Sequence, residues 1–170
     1  MNELDWLNGL DPEEAEAELL KCCGSRSWVS QMIKARPFAD TDSFLSKADL
    51  IWWSLKPEDW LEAFRSHPKI GEKKAEQAQS TTAKAWSEQE QSGTQDSTAD
   101  TMSALAAGNQ VYAERFGYIF IVCATGKSAN EMLSILQSRL DNAPLDELRI
   151  AAEEQSKITK LRLRKLIGTT

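Results

Sequence analysis

Apolar residues recur at three- and four-residue intervals along most of this chain, the spacing that lines one face of an α-helix. Phe44, Leu45, Ala48, Ile51, Trp52 and Leu55 predict a helix from about Ser43 to Leu55. Earlier, Asp11-Pro12 followed by Glu13 and Glu14 reads as an N-cap, a proline at the first helical position and an acidic first turn, with Gly24 as the closing glycine. A second helix is expected from Trp28 to Arg36, stopped by Pro37. Pro57 opens a fourth, with Trp60, Leu61 and Phe64 inward, which ends at His67-Pro68. Met102, Leu105, Val111, Tyr112 and Phe116 predict a long helix from about Thr101 to Phe116, with Gly117 as its C-terminal glycine. Ser128 with Glu131 forms a capping box opening a helix to Leu140, and Pro144 starts the last and longest, running to about Leu166.

Two stretches break this rhythm. Tyr118 to Ala124 is a continuous β-branched and aromatic run, short enough for a buried strand-like segment. A lone segment of that kind cannot make a sheet. The stretch from Glu72 to Asp100 is polar and rich in Gln, Ser, Thr and Ala, and is expected to be mobile or weakly helical. With no repeat and no linker, the expectation is all-α: one compact multi-helix domain over residues 1–170.

Composition narrows the function classes. A net charge of −6 and a pI near 4.9 disfavour a nucleic-acid or anionic-membrane partner. No apolar run approaches the roughly 18 residues of a membrane span, and the acidic N-terminus shows no signal-peptide pattern. Gly168-Thr169-Thr170 is not a peroxisomal tripeptide. The three cysteines are an odd count, Cys22 and Cys23 are adjacent, and there is no Cys-x-x-Cys. One histidine cannot supply a zinc cluster. A reduced, cytoplasmic, metal-free protein is expected, with Cys123 as a small core residue. Six tryptophans (Trp6, Trp28, Trp52, Trp53, Trp60, Trp86) read mainly as helix-packing residues, with a minority free to line a pocket or an interface.

His67 is the sole histidine, and histidine alone has an unperturbed pKa, about 6.5, suited to proton exchange near neutrality. Pro68 disfavours the α region for His67 and sets the imidazole at a helix–loop junction, where catalytic and capping roles are both open. Ala124-Thr125-Gly126-Lys127-Ser128 resembles the end of a P-loop, but Ile121 stands where the first glycine is required, so nucleotide binding is rejected. Ser87 and Glu90 match Ser-x-x-Glu, a plain capping box. The same helix N-terminus, with its free N–H groups, Glu90 and Gln91, could instead bind a polar heterocycle. Arg162 lies on the apolar stripe between Ile158 and Leu166, while Lys157, Lys160 and Arg164 lie on the other side. An inward arginine needs a partner, a protein carboxylate or an anionic ligand. Its planar fork suits a carboxylate or ureido group.

Taken in order, four segments carry a family resemblance. They are His67-Pro68-Lys69-Ile70-Gly71; Ser87-x-x-Glu90-Gln91-x-Gly93; Phe116-Gly117-Tyr118-Ile119-Phe120-Ile121-Val122-Cys123-Ala124; and Lys157-Ile158-Thr159-Lys160-Leu161-Arg162-Leu163. Each is weak alone; together the chain resembles the 2-oxo-4-hydroxy-4-carboxy-5-ureidoimidazoline (OHCU) decarboxylase family over nearly its whole length. One departure is mild: Ile119 stands where many members carry proline.

The resemblance implies an all-α fold and a homodimer that works without metal or organic cofactor. It implies a reaction that follows urate oxidase and hydroxyisourate hydrolase, in which OHCU loses CO₂ to give (S)-allantoin. Carried over by position, His67 is the expected catalytic residue with Glu90 beside it, and Pro68 is a pocket wall. Ser87, Glu88, Gln89, Glu90 and Gln91 form one expected substrate-binding segment; Phe120, Ile121, Val122, Cys123 and Ala124 form the other. Arg162 is the expected anchor for a polar or anionic group. The chemistry suits so sparse a set, because a C=N bond beside the reacting carbon lets the substrate act as its own electron sink. Two rival readings are a non-catalytic helical interaction module with a tryptophan surface, and a different small-molecule lyase or hydrolase.

Overall fold

The computed structural model describes residues 3–70, 80–95 and 97–168. Among these the chain forms nine α-helices, one 3₁₀ turn and no strand, the all-α architecture that the periodicity predicts. None of these helices is long and apolar enough to cross a membrane. The chain groups into two compact units, Met1–Ala63 with Ser156–Thr170, and Phe64–Gln155.

The first unit holds α1 (Asp5–Gly9), α2 (Pro12–Leu20), α3 (Arg26–Lys34), α4 (Thr41–Ser54), most of α5 (Pro57–Arg65) and the end of α9 (Pro144–Leu166). Local chemistry sets the starts. Asp11 caps the Glu14 N–H while Glu14 reaches back to the Asp11 N–H, and Ser25 and Asp40 cap α3 and α4. Leu7, Leu19, Trp28, Met32 and Phe44 are fully buried here, each burial contributing about 1.5–3 kcal/mol. Trp28 also satisfies its indole N–H on the Ala48 carbonyl at 3.0 Å, so this tryptophan packs as expected. One expectation fails. Gly24 does not close α2, which ends at Leu20, with the Cys22 and Cys23 amides donating back to the Leu19 carbonyl. Positive φ is confined, among the described residues, to Gly117, Gly126 and Gly168.

The second unit holds the end of α5, α6 (Thr81–Glu90), a 3₁₀ turn at Ser92–Thr94, α7 (Ala99–Phe116), α8 (Ala129–Arg139) and the first half of α9. Leu105 and Tyr112 of α7 pack with Met132 and Leu136 of α8 and with Phe120 and Val122 between them. Gly108 makes the α7–α8 approach possible, because a Cβ there would lie 2.5 Å from a Leu136 methyl carbon. Gly117 takes the left-handed cap at φ 84°, and Ser128 and Glu131 form the predicted capping box. The polar stretch is more ordered than expected where it is described. Ser80 accepts from the Ala83 N–H and starts α6, and Thr98 caps α7. Gly71 and residues 72–79 lie outside the described residues.

Candidate active site

α5 ends at Arg65, and the His67 N–H closes its last turn on the Phe64 carbonyl at 3.1 Å. Pro68 then prevents continuation, as the sequence requires. His67 is only 8% exposed, and Pro68 is buried beside it in the chain. Its Nε2 lies 2.7 Å from Oε1 of Gln155, a fully buried residue in the middle of α9. The sole histidine is therefore a buried, hydrogen-bonded group rather than an exposed helix cap.

Phe120 to Ala124 are all buried, and this extended run forms no strand ladder among the described residues. Its polar backbone must find other partners, because buried N–H and C=O groups are costly when orphaned. Charged side chains supply them. Arg139 Nη1 donates to the Ile121 carbonyl at 2.6 Å, Glu154 Oε1 accepts from the Cys123 N–H at 3.1 Å, and Lys127 Nζ donates to the Cys123 carbonyl at 2.6 Å. Arg139 is itself held by the fully buried Glu147, at 2.9 Å from Nε and 2.5 Å from Nη2, and the Tyr112 hydroxyl donates to the same carboxylate. Burial works against the Arg139 charge, but the Glu147 hydrogen bonds overcome it and hold the guanidinium's pKa above its ordinary value. The Cys123 thiol is pushed up by burial and by Glu154 and Glu90, partly opposed by Lys127. Both carboxylates thus act on the middle of the segment.

The segment Ser87–Gln91 corrects one expectation. Ser87 and Glu90 do not cap a helix N-terminus; they occupy the last turn of α6, whose cap is Ser80. Ser87 instead donates to the Ala83 carbonyl one turn back, at 3.0 Å. No ring of free N–H groups is therefore available at that point for a heterocycle. Helical spacing separates the five residues by face: Ser87 and Glu90 are buried, Glu88 and Gln89 are exposed, and Gln91 is half-buried at the helix end. Gly93, just beyond, is required: a Cβ there would fall 2.0 Å from the Lys127 carbonyl oxygen, so the 3₁₀ turn after α6 meets the loop after Ala124 backbone to backbone.

Arg162 belongs to the other unit. It is inward, as its register predicts, at 2% exposure, and its Nη1 donates to the Lys21 carbonyl at 3.3 Å. Lys157 and Arg164 are exposed, as expected for the opposite face. Among the described residues there is no group of three or more His, Cys, Asp or Glu side chains placed to hold a metal ion.

Two residues beside the site were not singled out in the sequence: Glu154 and Gln155. A signal for them exists. The stripe that marks Arg162 as inward, extended back from Ile158 by three and four residues, passes through both, and one further seven-residue step reaches Glu147. Polar residues on an apolar stripe must have buried partners.

The OHCU decarboxylase family model matches residues 8–164. The uric acid degradation bifunctional protein TTL of Arabidopsis thaliana is 37% identical over 156 residues, 92% of this chain and 48% of that protein. The chain thus spans about half the length of that relative. The 2-oxo-4-hydroxy-4-carboxy-5-ureidoimidazoline decarboxylase of Amia calva is 32% identical over 132 residues, 78% of this chain and 75% of that protein. A crystal structure of OHCU decarboxylase in the presence of (S)-allantoin is similar in fold, with a TM-score of 0.77 and 38% identity, covering 89% of this chain and 98% of that one.

Proposed function

The chain belongs to the OHCU decarboxylase family, and from that premise we propose that it removes CO₂ from OHCU to give (S)-allantoin, the last step of urate oxidation to allantoin. The observation that carries this reading is the sole histidine, buried and oriented by Gln155, in the same compact unit as a buried segment whose backbone Glu154 holds.

In this reading the carbon–carboxylate bond breaks and its electron pair passes onto the ring carbon and into the adjacent C=N bond. The protein orients the leaving carboxylate and delivers a proton to one face of the resulting carbanion, with no metal or organic cofactor. His67 is the proton donor, a role that typically contributes about 10²–10⁴-fold. Glu90 holds the substrate hydroxyl or a ring N–H and supports the charged imidazole. Pro68 walls the pocket, and the segments Ser87 to Gln91 and Phe120 to Ala124 bind the hydantoin-like part. Arg162 anchors an anionic or ureido group. The same reading makes the protein a cytoplasmic homodimer acting on a small molecule, without nucleic-acid or membrane partners.

The test generates OHCU from urate with the two preceding enzymes, adds this protein and follows circular dichroism as optically active allantoin forms. Acceleration of that signal is expected. Racemic allantoin at the spontaneous rate would refute the assignment. His67→Asn is expected to remove the acceleration while leaving the helical spectrum intact, and activity within a few-fold of wild type would refute the proton-donor role.

A further inference from the structure

We infer that Gln155 is a positioning residue that holds His67 in the Nε2–H tautomer and so sets the direction in which the ring faces. The inference rests on the decarboxylase reading for its function, but its physical content is a property of the free protein. An amide oxygen can only accept a hydrogen bond, so Oε1 of Gln155 at 2.7 Å from Nε2 requires that nitrogen to carry hydrogen in both the neutral and the charged ring. Both partners are buried, His67 at 8% exposure and Gln155 at 0%, so exchange of this bond for one to water is costly.

The chemistry of the partner matters as much as its position. A carboxylate at this place would favour the imidazolium and resist loss of the proton. A neutral amide fixes the direction of the ring without fixing its charge, which suits a group that must cycle between protonation states. Gln155 is also well anchored, in mid-α9 with Ala151 and Ala152 fully buried one turn back. Its chain neighbour Glu154 holds the Cys123 N–H. A single turn of one helix thereby sets both the ring of His67 and the backbone of the expected substrate segment.

The single histidine makes the test direct. The intact protein labelled with ¹⁵N-histidine is examined by long-range ¹H–¹⁵N correlation above the pH at which the ring becomes neutral. Expected is one imidazole with a protonated Nε2 and an unprotonated Nδ1; an Nδ1–H ring overturns the inference. Gln155→Met keeps the length of the side chain and removes the acceptor. It is expected to lose the single-tautomer signature and to lower kcat roughly tenfold, the equivalent of one hydrogen bond, with KM within about threefold. Gln155→Glu restores an oxygen acceptor and is expected to restore the Nε2–H signature. A Met variant with wild-type tautomer and wild-type kcat overturns the inference. An Nε2–H ring in a protein that shows no OHCU turnover would leave the tautomer assignment standing and refute the proposed function instead.

Discussion

The extended segment Phe120–Ala124 is held at Ile121 and at Cys123 by two different kinds of buried polar group. At Ile121 the carbonyl meets Arg139, whose charge is matched by Glu147 with Tyr112 donating to the same carboxylate. At Cys123 the N–H meets Glu154, whose neighbour Gln155 holds the histidine with a neutral amide. The first cluster is closed electrically: cation and anion sit in direct contact and the Arg139 ring contacts, 4.6 Å to Phe120 and 5.8 Å to Tyr112, add to the packing. The second fixes directions without fixing the charge of the imidazole. A buried ion pair makes a good strut and a poor proton donor, and an imidazole on an amide is the reverse.

The comparison can be broken most forcefully at Glu147. Glu147→Leu strands a buried guanidinium and is expected to destabilise the protein by about 3–5 kcal/mol, read as a lower denaturant midpoint. A change below about 1 kcal/mol would show that the cluster is not a strut. Glu154→Leu orphans the Cys123 N–H and is expected to cost roughly 1–3 kcal/mol in the same assay. Its effect on turnover should exceed its effect on stability, measured at a temperature where the variant stays folded. Gly93→Ala forces two backbones apart and is expected to cost about 1–3 kcal/mol, with lower affinity for substrate rather than lower kcat.

The smallest expected effect is a pH dependence. Because the folded protein raises the Cys123 pKa above 9.0, the thiol's contribution to stability is complete below pH 9.0 and is lost as pH climbs through the folded value. Thermal melts in mild alkali should therefore fall more steeply for the wild type than for Cys123→Ala. Equal slopes would show that burial in the fold does not raise the thiol's pKa.

Much of this was legible in the residues. Asp11-Pro12, Ser128 with Glu131, Pro144 and Gly117 mark helix ends by chemistry confined to one turn, and the structure places each where that chemistry says. Gly24 and the Ser87–Glu90 pair misled for a related reason. A glycine after a helix and a Ser-x-x-Glu pattern state what a residue can do, while Leu19 and Ser80 offered nearer partners that ended one helix and began the other. The register of α9 placed Arg162 inward correctly, and the same reasoning carried two turns back would have reached Glu154 and Gln155.

The sequence by itself determined most of the helices, several of their ends, the inward stripe of α9 and, through four motifs in order, the family. Those signals live in spacing, because side chains three and four residues apart share a helix face whatever surrounds them. Only the tertiary structure decided that Gln155, 88 residues away, meets the ring of His67, and that Glu154 meets the Cys123 backbone 31 residues back. Such pairs depend on how helices pack, and a segment with no strand to pair with takes its partners from whichever buried side chains that packing brings within 3 Å or so.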